Sequence, residues 1–182
     1  TPMNSSAASD VYKRQLLRRV RYRKYRTLLM IAFSSQESLF MRSAIDLANK
    51  SFNLNEVPVG AVIVKDNQII GEGRNSVIAD KDVSSHAEIN AIRSASKKLG
   101  NYRLNDCYIY VTLEPCHMCA KAIVDARIKF LIFATKEPKT GSICSIDNFL
   151  DNEALNHKVS YKFGLLEEES SNLLKNFFIS KR

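Results

Sequence analysis

Residues 107–119 read Cys-Tyr-Ile-Tyr-Val-Thr-Leu-Glu-Pro-Cys-His-Met-Cys. The first six, Cys107 to Thr112, are rich in β-branched and aromatic residues and predict a buried strand. Pro115 suits the first turn of a helix, so the spacing predicts a helix from Pro115 to about Ala126. Cys116 and Cys119 are three apart, which places both sulfurs on one face of that helix, within reach of one ion. A C-x-x-C pair alone also fits a redox couple or half of a structural zinc site.

A second segment narrows the choice. His86-Ala87-Glu88 also falls where a helix starts after a loop, with residues 86–99 helical and Gly100 ending them. His86, Cys116 and Cys119 together make three zinc ligands, two thiolates and one neutral imidazole, and leave one tetrahedral position open, as catalytic sites do. Water at such a position has its pKa brought down to roughly 7. Glu88, two residues beyond His86, is placed to move that water's proton without ligating the metal. A closed structural site would need a fourth ligand, for which Cys107, Cys144, His117 and His157 are available. His117 is expected to point away from the metal and Cys107 to be a small buried hydrophobe.

Working outward, Ser34 and Glu37 form a capping box for an amphipathic helix over 35–50, with Met41, Ala44, Ile45 and Ala48 at helical spacing. Val59 to Val64 is a continuous apolar run, hence a buried strand, and Gln68 to Gly73 returns as its neighbour. A polar loop reaches Ser85. Lys129 to Ala134 predicts a fourth strand, and 136–156 is loop-rich, with a short strand near 159–163. Leu165 to Ile179 closes as a helix with Leu166, Leu173, Leu174, Phe177 and Phe178 on or near one face. Two strands first, then strands alternating with helices, predict an α/β domain with a mixed sheet covered by helices.

Composition fits one domain of 34–182 behind a basic extension. The 182 residues carry 27 Lys and Arg against 19 Asp and Glu, a net charge of +8. Eight of the basic residues, Lys13 to Arg26, and only one acid, Asp10, lie in the first 29 positions. The remainder is close to neutral, so bulk charge does not argue for nucleic acid. Residues 1–33 read as a disordered tail, an RNA-gripping arm, or a segment ahead of a natural start at Met30. No window is apolar enough for a membrane span, and no signal peptide is evident. Four cysteines without a secretory signal suit metal binding in a reducing cytoplasm.

H-A-E followed by P-C-x-x-C resembles the zinc deaminases that act on nucleobases. Further segments sharpen the likeness: Glu56-Val57-Pro58-Val59-Gly60-Ala61-Val62, Gly71-Glu72-Gly73-Arg74-Asn75, Asn101-Tyr102-Arg103-Leu104, Lys139-Thr140-Gly141 and Asn156-His157-Lys158-Val159. From Ser34 onward the chain resembles the bacterial tRNA-specific adenosine deaminases of the cytidine deaminase-like superfamily. The resemblance implies a three-layer α/β/α sandwich with a mixed five-stranded sheet and one Zn2+ per subunit. It implies a homodimer that binds a tRNA anticodon loop and converts its wobble adenosine to inosine. It also implies that Asn75 hydrogen-bonds the purine and that the Ala87 backbone helps read its edge. Glu137 stands where many relatives have Asp. Lys136, Lys139, Lys158, Arg74 and Arg103 are candidate phosphate contacts. Two other functions fit the motifs: deamination of a free nucleobase or nucleotide (guanine or a pyrimidine), and zinc-stabilised RNA binding without catalysis, which Glu88 argues against.

Overall fold

The computed structural model describes residues 33–181. The basic extension expected over 1–33 lies, but for its last residue, outside the described residues.

The capping box forms as expected. Ser34 Oγ accepts from the Glu37 N–H at 3.1 Å, and the Glu37 carboxylate accepts from the Ser34 N–H at 2.9 Å. Helix α1 follows over Ser35–Asn53. Strands β1 (Gly60–Lys65) and β2 (Gln68–Arg74) are antiparallel. A short helix, α2 (Val77–Asp80), occupies the predicted polar loop. Helix α3 spans Ala87–Leu99 and ends at Gly100 in the left-handed conformation. Strand β3 (Tyr108–Leu113), helix α4 (His117–Asp125), strand β4 (Phe130–Thr135), strand β5 (Ser160–Phe163) and helix α5 (Glu167–Ile179) complete the domain.

Two predictions need correction. Helix α4 begins at His117, not at Pro115, because Cys116 keeps an extended backbone and serves as the N-cap. On α5, Phe177 is buried but Phe178 is exposed, since adjacent helical residues point about 100° apart and cannot share one face.

The sheet order is β2-β1-β3-β4-β5. β1 runs antiparallel to β2 and β3, while β3, β4 and β5 are parallel. The sheet is therefore mixed and five-stranded. Period-two alternation sends Ala61, Ile63, Ile109, Val111, Leu131 and Phe133 to one face, where they pack with Ala87, Ala91 and Ala95 of α3 and Ala120 and Ile123 of α4. Val62, Val64, Tyr110, Ile132 and Ala134 face the other way, onto Phe40, Met41, Ala44 and Ile45 of α1. α5 lies beside α1, with the Phe52 and Phe177 rings 5.8 Å apart. Three layers result, with the core split by a sheet apolar on both faces.

One close approach fixes where α3 begins. A Cβ on Gly73 of β2 would stand 2.1 Å from the Ala87 carbonyl oxygen. Only a glycine lets the first turn of α3 settle on β2 this closely, and His86 and Glu88 sit in that turn.

Candidate active site

β2 and β3 are both antiparallel to β1, so their carboxyl ends share one edge of the sheet. α3 and α4 start at that edge. His86 is the N-cap of α3 and Cys116 the N-cap of α4, both with extended backbones. Cys119 follows in the first turn of α4, and Glu88 in the first turn of α3. Two helix N-termini thus converge, and their unpaired N–H groups and dipoles favour negative charge there.

The structure brings His86, Cys116 and Cys119 together. One donor atom from each lies within 4.8 Å of the others. His86 Nδ1 is 3.5 Å from Cys119 Sγ and 3.8 Å from Cys116 Sγ. A tetrahedral zinc with bonds of about 2.3 Å to sulfur and 2.0 Å to nitrogen would separate its ligands by roughly these distances. The donor set therefore fits such an ion. Among the described residues no fourth side chain joins this cluster. Cys107 is buried in the core, His117 Nε2 meets Asp147 at 2.7 Å, and His157 Nε2 meets the Ile128 carbonyl at 2.8 Å.

The electrostatics are those of a shared, half-dry cluster. Hydrogen bonding from the Cys119 thiol, helped by His86, brings Cys116 down to about 4 against the effect of burial. Cys119 itself is held up by that same bond and by its own burial. Hydrogen bonding to Cys116 raises the His86 imidazole. Burial pushes Glu88 up to about 6, with Cys116 adding to the rise while its own backbone N–H, His86 and Cys119 oppose it. The residue is 4% exposed.

Asn75 follows β2 on a segment fastened to the one before His86. The Ser76 N–H donates to the Ser85 carbonyl at 3.0 Å, and Asn90 Nδ2 reaches the Arg74 carbonyl at 3.0 Å and Ser76 Oγ at 3.1 Å. Asn75 is itself buried: its carbonyl accepts from Ser51 Oγ at 2.9 Å, and its Nδ2 donates to Glu56 Oε2 at 3.3 Å. Ala87 is buried in the first turn of α3, where N–H groups have no intrahelical acceptor.

Two buried carboxylates escaped the sequence reading. Glu56, 1% exposed, accepts from the N–H groups of Ile78 and Ala79 at 2.9 and 2.8 Å, so it caps α2 as well as orienting Asn75. Glu114 precedes Pro115 and fastens the loop after β4. Burial would raise it, but bonds from the Ser145 hydroxyl and from the N–H groups of Cys144, Glu137 and Ser145 hold it below the usual carboxylate range. No local pattern marks either acid, because each binds backbone N–H groups more than 20 residues away.

A mixed sheet with a Cys2His cluster and a buried glutamate at paired helix N-termini defines the class of zinc-type nucleobase deaminases. Residues 34–182 match the MafB19-like deaminases, and the chain belongs to that family. It is 47% identical over 150 residues to the tRNA-specific adenosine deaminase of Haemophilus influenzae, covering 82% of this chain and 87% of that one. A solved tRNA:A34 deaminase, studied for A-to-I editing at the wobble position of transfer RNA, superposes with a TM-score of 0.73 at 41% identity, covering 74% of this chain and 98% of the other. The guanine deaminase of Bacillus subtilis is 36% identical and superposes with a TM-score of 0.53, covering 75% and 90%.

Proposed function

We propose that the protein hydrolyses the wobble adenosine of a tRNA anticodon loop to inosine. The observation that carries the reaction class is the convergence of His86, Glu88, Cys116 and Cys119 on one sheet edge. The choice of substrate rests on the relatives: the curated tRNA-specific adenosine deaminase is 47% identical and the solved tRNA:A34 deaminase 41%, against 36% for the guanine deaminase of Bacillus subtilis.

His86 Nδ1 and the two thiolates would hold one zinc per subunit. Bound there, zinc supplies the charge that makes water acidic near neutrality. Glu88 takes a proton from the attacking water and delivers it to the purine ring nitrogen N1. Oxygen bonds to C6. The proton of the new C6 hydroxyl then passes through Glu88 to the exocyclic nitrogen, and the C6–N bond breaks as the C6 carbonyl forms and ammonia leaves. A carboxyl near 6 can both accept and return a proton at neutral pH, which is why its burial matters. Asn75, its amide held by Glu56, meets the base edge, and the Ala87 N–H helps read it. An anticodon loop presents an unpaired base, so the target unstacks at low cost. Exposed Lys136, Lys139 and Lys158, with Arg74 and Arg103, are the candidate phosphate contacts in this reading; Lys136, Lys139 and Arg74 stand at the carboxyl ends of β4 and β2, the site's end of the sheet.

The working unit is a homodimer in the cytoplasm, with RNA crossing the subunit boundary. Exposed apolar Ile78, Val83 and Met118, on α2, in the loop after it and at the start of α4, support an interface on that side. Among the described residues no helix is long and apolar enough to cross a membrane.

The test is inosine formation in a synthetic anticodon stem-loop, with guanine, cytidine and free adenosine in parallel. Inosine in the stem-loop alone supports the reading. Product from guanine alone moves the chain to free-base metabolism.

A further inference from the structure

Glu114 gathers five donors from one loop. Its Oε1 accepts from the N–H groups of Ile143, Cys144 and Ser145 at 3.0, 2.7 and 3.0 Å. Its Oε2 accepts from the Glu137 N–H at 3.1 Å and from the Ser145 hydroxyl. Glu114 is 3% exposed as a residue, and these five bonds stand in for hydration of its carboxylate. They come from both ends of the 137–145 stretch and close it into a loop.

The same loop is stitched to the metal segment. Gly141 pairs with Cys116 in an isolated antiparallel bridge. Ser142 donates both its N–H and its hydroxyl to the Pro115 carbonyl, at 3.0 and 3.1 Å. A Cβ on Gly141 would lie 2.5 Å from the Glu114 carboxyl carbon, so the carboxylate and the loop backbone are in direct contact. Pro138, Lys139 and Thr140 of this stretch are exposed, and Lys136 just before it is exposed with its ammonium 4.5 Å over the Phe163 ring.

We infer that Glu114 is a positioning residue that holds the 137–145 loop, with its exposed Lys139, in fixed register with the Cys116 segment. The inference rests on the RNA reading above, since it takes this loop as a substrate-facing element. A loop ordered on folding loses no further entropy on binding, so the clamp acts mainly on substrate affinity. A residue needed for stability alone would act through the folded fraction or through metal retention, leaving the KM of the surviving enzyme unmoved.

Glu114→Gln keeps the shape and removes one acceptor face, setting an amide N–H2 against the Glu137 N–H. In the full-length zinc-loaded protein it should retain about one zinc per chain while KM for the stem-loop rises about tenfold and kcat stays within about threefold. Backbone amides of 143–145 should exchange with solvent faster than in the unmodified protein. Unchanged KM with unchanged exchange overturns the inference, as does loss of zinc with KM unmoved. If Glu114→Gln does not fold, Gly141→Ala leaves the carboxylate intact and displaces the loop, and it should show the same KM rise; an unmoved KM there also overturns the inference. If the unmodified protein forms no inosine in the stem-loop, the RNA reading fails, and the exchange comparison still decides whether Glu114 clamps the loop.

Discussion

The His–Cys cluster and the loops beside it share one end of the sheet but are built in different ways. The cluster joins two local pairs, brought together across 30 residues. His86 and Glu88 are two residues apart, Cys116 and Cys119 three, and each pair takes its geometry from the start of one helix. The loops are held from a distance. Glu56 reaches α2 across 23 residues to Ala79, and Glu114 reaches the loop after β4 across 31 to Ser145. The candidate ligands thus sit in short motifs on helix ends, and the neighbouring loops are held by long-range bonds to buried carboxylates.

That contrast predicts graded effects. Cys119→Ser should cost most. It removes a fully buried ligand, and we expect zinc loss by elemental analysis and deamination below detection. A chelator should act likewise on the unmodified protein, with zinc restoring activity. Glu56→Gln should cost less. It sets one amide against the Asn75 amide while leaving the metal ligands alone, and kcat/KM should fall by about 10- to 100-fold with zinc content intact. Equal loss of zinc in both variants would erase the distinction between the two regions.

The smallest effect lies away from the site. Burial tends to raise Glu37, but hydrogen bonds from Lys162 and from Ser34 bring it below its ordinary 4.5. A carboxylate lowered in the folded state stabilises above its unfolded pKa, and that contribution is lost as pH falls through the folded value. Lys162→Met should therefore flatten the acid limb of the stability–pH curve below about 4.5 and shift stability at pH 7 by less than about 1 kcal/mol. A thermal-melt series from pH 3 to pH 7 checks this.

Legibility in the sequence follows the same division. The strand runs and helix starts were readable because β1, β3 and β4 are apolar on both faces and the capping box at Ser34 is a local signal. The candidate metal ligands stand in C-x-x-C and H-x-E, whose spacing fixes each pair within one turn, and the fold brings the three donors together. The start of α4 was misplaced because Pro115 is a good first-turn residue, whereas the chain uses Cys116 as its N-cap. The short α2 was invisible because its cap, Glu56, comes from another part of the chain. Glu56 and Glu114 carry no local pattern; only the folded sheet shows what their carboxylates bind.

The central claim is that Glu88 moves protons at a zinc centre that His86, Cys116 and Cys119 build without it. Glu88→Gln, assayed on the anticodon stem-loop alongside zinc analysis and RNA binding, tests this most directly. The account predicts about one zinc per chain, RNA affinity within a few-fold of the unmodified protein, and inosine formation reduced by about 10²- to 10⁴-fold. Full activity in that variant, with zinc bound, would contradict it.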